Sequence, residues 1–328
     1  MNVFIIGAGF TKAVFPNAPL NGELLGTLAN KNSNSNAAEL KKKYGTEDIE
    51  IALTKLDLDI AQAGSVEQNS LLNELRTRIE SELANYFRLF CASEQLMNQL
   101  PWLTNFINQA FNSGDVAISL NYDCVLEGAL DCCGKWTPNG GYALEFPLGC
   151  GTSFPVSAVT VLKIHGSASF EKSSDLGKPK AKVVAPNCNQ CFFPRSAKGK
   201  DFGLLDGKPF VIAPSYVKVP TVEIAYLMLD AIKAVANASA ENLIVIGCSL
   251  RQADAFLKVL LANFGREEPS ARRLLERKII VVDPKAKEIT NNLNNYWPAV
   301  VEDKLVPICN GIQDSVPGLV NMISNRSR

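Results

Sequence analysis

The sequence lacks several features that would assign a protein to a class at once. It has no run of about 18 apolar residues, so it does not predict a membrane-spanning helix. No basic segment precedes the apolar N-terminal residues, which is not typical of a signal peptide. Lys plus Arg and Asp plus Glu balance at 33 each. Bulk charge therefore gives no indication of direct binding to nucleic acid or to a membrane.

The cysteine spacing and the scarcity of histidine both limit the chemistry that the chain can perform. The nine cysteines are an odd number at irregular spacings, and we expect mostly reduced thiols in a cytoplasmic protein. Histidine occurs once, as His165, at the end of a strand-like segment. Because imidazole gains or loses a proton near neutral pH, this residue is either a candidate proton carrier or simply a hydrogen-bonded structural residue.

Short apolar segments alternate with segments of helical periodicity. With 47% hydrophobic and 20% charged residues, the chain can bury a sizeable core. Strands that are apolar on both faces and separated by helices indicate a parallel sheet covered on both sides. The sequence therefore predicts an α/β, Rossmann-like fold. The expected strands include residues 2–6, 115–120, 159–164, 209–213, 243–247 and 278–282.

The domain organisation is predicted to be a single domain over residues 1–328 with two internal modules. Residues 20–112 have helical periodicity and separate the first two strands, far more chain than a plain crossover needs. We interpret them as a helical insert that forms a subdomain or a partner surface. One of its helices is expected to begin with Thr46 as the N-cap. Residues 131–207 are predicted to be a loop-rich small module.

Small or polar residues follow five of the expected strands. Ligands of open parallel sheets bind at the carboxyl ends of the strands, so these residues are the candidate site. The first of these segments has two glycines but lacks the third of a dinucleotide-binding motif, and alone it is equally typical of a tight structural turn. The five segments are Gly7-Ala8-Gly9-Phe10-Thr11, Asn121-Tyr122-Asp123, His165-Gly166-Ser167, Gly247-Cys248-Ser249-Leu250 and Asp283-Pro284.

In this order the segments look like the sirtuin fold, and more closely they resemble the SIR2-like NAD-hydrolase domains of bacterial anti-phage defence proteins. The matching segments are GAGFT, LNYD, KIHGS, APSYVKVP, GCSLRQAD and VVDP, from residue 3 to about residue 290. Each is a weak signal alone, whereas six in one order make the resemblance specific. It implies a sirtuin-like fold and cleavage of the nicotinamide–ribose bond, with NAD+ consumed as the substrate.

The resemblance also implies a role for each candidate residue. His165 would act as the general base and Asn121 would position water or the ribose. Asp123 would position Asn121 or the ribose, or would instead cap the following helix. The expected NAD+-binding residues are Gly7, Ala8, Gly9, Phe10, Thr11, Asn21, Gly247, Ser249 and Asp283. Among these, Ala8, Gly9 and Thr11 would line the pyrophosphate, while Ser249 and Asp283 would face the adenosine ribose. Asp283 could instead cap a helix.

The chain departs from protein-deacylating sirtuins in ways that favour hydrolysis. Only one C-x-x-C pair is present, Cys188 and Cys191, where those sirtuins have two in a zinc module. Four thiolates could still converge on zinc, but reduced thiols in a loop are favoured and no metal is expected. No Phe-Arg follows the first glycine turn, and no V-x-F-G-E run is present. The alternatives are an NAD-dependent protein deacylase or ADP-ribosyltransferase, and a non-catalytic assembly subunit that binds NAD or ADP-ribose.

Because a free NAD+ hydrolase would be toxic, the resemblance implies an effector whose activity is gated. The expected partners are other copies of the chain in a homo-oligomer, and a HerA-type ATPase or another defence-system protein. Residues 20–112 are the candidate assembly surface.

Overall fold

The computed structural model describes residues 1–143, 157–171, 182–183, 209–217, 222–250, 254–265, 277–296 and 304–324. Much of the predicted loop-rich module therefore lies outside the described residues, as do Cys188 and Cys191. Parts of two resembling segments, at 218–220 and 251–253, lie outside them as well.

The described strands form two sheets, and a six-stranded parallel sheet is the centre of the fold. The strands are β1 Asn2–Ile6, β2 Val116–Ser119, β3 Thr160–Lys163, β4 Gly166–Glu171, β5 Lys182–Val183, β6 Pro209–Val211, β7 Asn242–Ile246, β8 Lys278–Val282 and β9 Leu305–Ile308. The order in the central sheet is β3-β2-β1-β7-β8-β9, which confirms the predicted α/β, Rossmann-like class. In register, Ile5 pairs with both Ile118 and Val245.

Helices cover both faces of this sheet. All five residues of β1 and of β7 are buried although successive side chains point to opposite faces, so neither face is open to solvent. The described helices are α1 Ala8–Val14, α2 Asn21–Lys31, α3 Asn36–Tyr44, α4 Ile49–Ala61, α5 Val66–Phe87, α6 Glu94–Gln99, α7 Pro101–Ala110, α8 Val125–Cys132, α9 Pro138–Gly141, α10 Val222–Ala236, α11 Ala255–Gly265, α12 Ala286–Tyr296 and α13 Ile312–Ser324. No helix in these ranges is both long and apolar enough to cross a membrane.

Helices α2 to α7 form the segment between β1 and β2. Helix α4 begins two residues later than expected. Asp48, and not Thr46, is its N-cap, since the carboxylate accepts from the amides of Glu50 and Ile51. The Thr46 hydroxyl instead accepts from the Asp48 amide. Asp prevails because a carboxylate in the first turn also meets the helix dipole.

A small antiparallel sheet, β5-β4-β6, starts immediately after His165. Gly166 has a φ of 75°, and a Cβ there would overlap the Phe210 carbonyl oxygen. This backbone lets the chain leave the central sheet at His165 and enter β4, which pairs with β6. His165 therefore lies at the corner between the two sheets.

Candidate active site

The carboxyl ends of β1, β2 and β3 lie side by side at one end of the central sheet. The strand order also reverses at β1, because β2 and β7 flank it on opposite sides. Ligands of open α/β sheets bind in the crevice outside such a switch point. The fold therefore brings the predicted residues after these strands to the place where a ligand site is expected.

Thr11 connects two polar side chains of the loop after β2. Its hydroxyl donates to Asp123 Oδ2 at 2.7 Å, and the hydroxyl oxygen of Thr11 accepts from Asn121 Nδ2 at 3.0 Å. Only 3% of Thr11 is exposed. The sequence predicts Thr11 as a pyrophosphate contact, whereas in the structure its hydroxyl is engaged by these two neighbours.

The amide group of Asn121 has a single orientation. Its Nδ2 donates to the Gly7 carbonyl oxygen at 3.0 Å as well as to Thr11. Because a carbonyl oxygen only accepts, the nitrogen must face Gly7. Both amide hydrogens are thus used, and Oδ1 accepts no hydrogen bond from the residues that the structure describes. This oxygen is the part of Asn121 that can accept from a ligand.

Asp123 holds Thr11 and also the beginning of α8. Its Oδ1 accepts from the Val125 amide at 3.1 Å, next to Cys124, the N-cap of α8, so the carboxylate contacts both Thr11 and the first turn of this helix. Burial raises the pKa of Asp123 to about 6, although the charge of Lys163 and the Thr11 hydrogen bond oppose the rise. Above that pH the carboxylate is ionised and accepts from Thr11.

His165 is partly exposed at the corner between the two sheets. Its Nδ1 lies 3.2 Å from the carbonyl oxygen of Leu120, the residue before Asn121. Because that oxygen only accepts, Nδ1 carries the proton, and the lone pair of the neutral ring is at Nε2. The histidine is therefore oriented to accept a proton at Nε2.

The segment after β6 joins His165 to the helical insert. The Ile212 amide donates to the His165 carbonyl oxygen at 2.9 Å, and the Tyr122 hydroxyl donates to the Ile212 carbonyl oxygen at 2.6 Å. A few residues later, the Tyr216 amide donates to Thr54 Oγ1 on α4 at 2.9 Å. This segment is in contact with the site at one end and with the insert at the other.

Three glycines pack backbone against backbone at the switch point. The Gly9 amide donates to the Gly247 carbonyl oxygen at 2.9 Å. A Cβ on Gly7 would lie 2.5 Å from that oxygen, and one on Gly9 would lie 2.7 Å from Gly247 Cα. Gly247 has a φ of 58°. The turn after β1 therefore needs glycine for its contact with the turn after β7.

The remaining predicted residues have other partners in the structure. Asn21 begins α2, and its amide donates to Glu50 Oε1 at 2.9 Å. Ser249 is exposed on the turn after β7. Asp283 Oδ1 accepts from the Lys285 amide at 2.8 Å, immediately before α12, which fits the capping alternative.

The sequence interpretation missed a buried ion pair next to Asp123, in the interior of the protein. Lys163 Nζ lies 3.0 Å from Glu127 Oε1, and both side chains are at most 1% exposed. A signal was present, because Lys163 is the one charge of a short apolar strand and Glu127 lies among apolar residues at the start of its helix. Lys163 ends the strand TVLK, and Glu127 lies in the helix VLEGALDC.

We expect Thr11→Val to lower the free energy of unfolding by about 2–4 kcal/mol, since it leaves a buried acceptor of Asp123 and a buried donor of Asn121 unpaired. Thr11→Ser, which keeps the hydroxyl, is the matched control and should lose much less. Urea denaturation at pH 7.5 measures both. Equal stability of the two variants would show that the hydroxyl does not hold these side chains.

Within the described ranges, no three His, Cys, Asp or Glu side chains are grouped so that they could hold a metal ion. Cys188 and Cys191 lie outside those ranges.

The fold and the site define an α/β, Rossmann-like protein with a polar cluster at the switch point of its sheet. No protein-family model matches the sequence, and no curated protein matches it. The structure is similar to one from a study of the mechanism and regulation of Sir2 enzymes, with 13% identity and a TM-score of 0.42 over 98% of this chain and 91% of that chain. A Sir2 mutant with a p53 peptide and NAD has 9% identity and a TM-score of 0.38 over 99% and 94%. Similarity this low does not establish a shared function.

Proposed function

We propose that the protein is an NAD+ glycohydrolase, which cleaves the nicotinamide–ribose bond to give nicotinamide and ADP-ribose. The observation that carries this proposal is the fixed amide of Asn121, whose Oδ1 is left as an acceptor beside the strand end that bears His165. The six sequence segments that resemble NAD-hydrolase domains support the same chemistry.

The proposed reaction uses one water molecule. Asn121 Oδ1 accepts a hydrogen bond from the water or from a ribose hydroxyl and orients it toward C1′ of the nicotinamide ribose. As the water oxygen bonds to C1′, the C1′–N bond breaks and its electron pair neutralises the nicotinamide ring. His165 Nε2 takes the proton from the water and passes it to solvent. General-base catalysis of this kind contributes about 10²–10⁴-fold to the rate.

The rest of NAD+ would extend across the switch point from β1 toward β7 and β8. The amides of Gly9 and Phe10 already donate to Gly247 and Gly7. A pyrophosphate at this turn would therefore meet the Ala8 amide first. Ser249 and Asp283 follow the next two strands and are proposed to face the adenosine ribose, where a carboxylate suits a 2′-hydroxyl.

The biological setting is proposed from the sequence resemblance. In it, the protein is a gated effector that depletes NAD+ during phage infection. It would act as a homo-oligomer or with a HerA-type ATPase, and residues 20–112 would form the assembly surface. Charge reversals on the exposed face of α4 or α5 that leave the oligomer unchanged would contradict that assignment.

The test is incubation of the purified protein with NAD+, alone and with the HerA-type ATPase of its system, and separation of the products by liquid chromatography. We expect equal amounts of nicotinamide and ADP-ribose. Product formation only with an acyl-lysine peptide or a protein acceptor would indicate a deacylase or ADP-ribosyltransferase instead. Bound but intact NAD+ in both arms, with correctly folded protein, would indicate a nucleotide-binding subunit without catalysis and overturn the proposal.

A further inference from the structure

The buried pair of Lys163 and Glu127 lies below the site and is not used by the proposed reaction. Lys163 comes from the end of β3 and Glu127 from α8, so the pair joins the strand that leads to His165 with the helix that follows Asp123. Burial lowers the pKa of Lys163 and is the largest single effect, but the charges of Glu127 and Asp123 and the hydrogen bond to Glu127 together outweigh it, and the net shift is upward. The amine is therefore a cation at neutral pH.

Lys163 also donates to both ends of the loop that carries Asn121. Its Nζ lies 2.5 Å from the Asp123 carbonyl oxygen and 3.5 Å from Ser119 Oγ. Ser119 Oγ in turn accepts from the backbone N–H of Asn121 at 3.3 Å. One ammonium group thus contacts the residue before this loop and the residue that ends it.

A stabilising role alone does not explain such a pair. Removing two charges from water is costly, and well-packed apolar residues of similar volume often stabilise a fold equally well or better. An apolar pair would, however, leave the Asp123 carbonyl without its donor. The specific contribution of Lys163 is the position of the loop between β2 and α8.

We propose that Lys163, with Glu127 as its counter-charge, is a positioning residue that holds the Asn121 loop against the strand end that bears His165. The proposal rests on the proposed function for its kinetic consequences, but the contacts are independent of the substrate. Lys163 acts through Asp123 and Ser119 and does not itself touch the substrate in this scheme.

The charge of Lys163 has a second effect, on Asp123. Other groups that face this carboxyl are the Thr11 hydroxyl, Glu127, which raises its pKa, and Cys91, whose own pKa Asp123 raises. The ammonium lowers the pKa of Asp123 against the effect of burial, and the result is about 6. Without the ammonium this pKa is higher. Since Thr11 donates to the ionised carboxylate, protonation of Asp123 is expected to lower activity as the pH drops through about 6, in addition to the loss caused when the general base His165 is protonated.

The test uses a paired substitution, Lys163→Met with Glu127→Gln. Lys163→Met alone would leave the buried carboxylate of Glu127 without its counter-charge and endanger folding. The matched control is Arg76→Met with Asp57→Asn, which removes an ion pair of the helical insert whose atoms are 3.0 Å apart. We expect the first pair to lower kcat by about 10²-fold with little change in KM. Its acid limb should also move upward, because Lys163 lowers the pKa of Asp123 more strongly than Glu127 raises it. The control should change neither.

A second measurement does not depend on turnover. Nuclear magnetic resonance of the Asp123 carboxyl carbon should give a midpoint near 6 in the wild type and a higher one in the Lys163→Met, Glu127→Gln variant. An unchanged midpoint would overturn the role of Lys163. If the wild type is active, an unchanged kcat and an unchanged acid limb in the paired variant would also overturn the role of Lys163. If the wild type hydrolyses no NAD+, the proposed function fails, and the carboxyl titration still decides the role of Lys163.

Discussion

Replacing His165 with alanine is expected to reduce NAD+ hydrolysis by about 10²–10⁴-fold, because the reaction loses its general base. His165→Asn is the informative companion variant. Its side-chain amide can still donate to the Leu120 carbonyl oxygen, as Nδ1 does in the wild type. Asparagine has no group that accepts a proton near neutral pH, so this variant should be as inactive as the alanine variant.

Initial rates of nicotinamide release at saturating NAD+ measure this effect, with thermal unfolding as the control for folding. Both variants should unfold close to the wild-type temperature, because the ring is partly exposed. Wild-type activity in His165→Asn would mean that this residue orients the loop and does not accept a proton. Loss of activity together with loss of the folded state would attribute the effect to structure instead.

Gly247→Ala is expected to lower the free energy of unfolding by about 2–5 kcal/mol. A non-glycine residue in the left-handed region costs about 1–2 kcal/mol, and overpacking adds about 1–3 kcal/mol. The φ at this position is 58°, and the new Cβ would overlap the Phe10 amide and lie 2.7 Å from Gly9 Cα. The start of α1, the helix that carries Thr11, must then move, so NAD+ hydrolysis should fall as well.

Gly45→Ala is the matched control for this prediction. Gly45 has nearly the same φ, 61°, but a Cβ there would meet nothing within 4 Å. It should therefore show the cost of the backbone conformation alone. Chemical denaturation of the two variants separates the terms. Equal losses would mean that the close contact between the two glycine turns does not contribute to stability.

The class of fold and the strand ends could be predicted because they depend on local pattern. An apolar strand such as β7 is recognisable from its own residues, and parallel strands bring their carboxyl ends together. The strands that the sequence did not reveal break that pattern. β9 contains Pro307, tolerated because this strand is paired on one side only. β4 is built largely from small residues such as Ser167 and Ser169, which do not signal a strand.

The partners of the site residues could not be predicted from the sequence in the same way. That Asn121 and His165 follow neighbouring strands was accessible from the order of the segments. The engagement of Thr11 with Asp123 depends on side-chain directions across 112 positions of sequence separation. Lys163 was visible as a charge in a buried strand, but its counter-charge lies on a helix, and the pairing depends on how that helix packs.

The segment after β6 has a mechanical consequence for the helical insert. Its Ile212 amide is bonded to the backbone of His165, and its Tyr216 amide is bonded to Thr54 on α4. Only three residues lie between these two attachments, so the segment that connects them is short. A displacement of α4 must therefore either break hydrogen bonds worth about 0.5–1.5 kcal/mol each or move the histidine with it. We therefore expect movements of α4 and of His165 to be coupled through this segment.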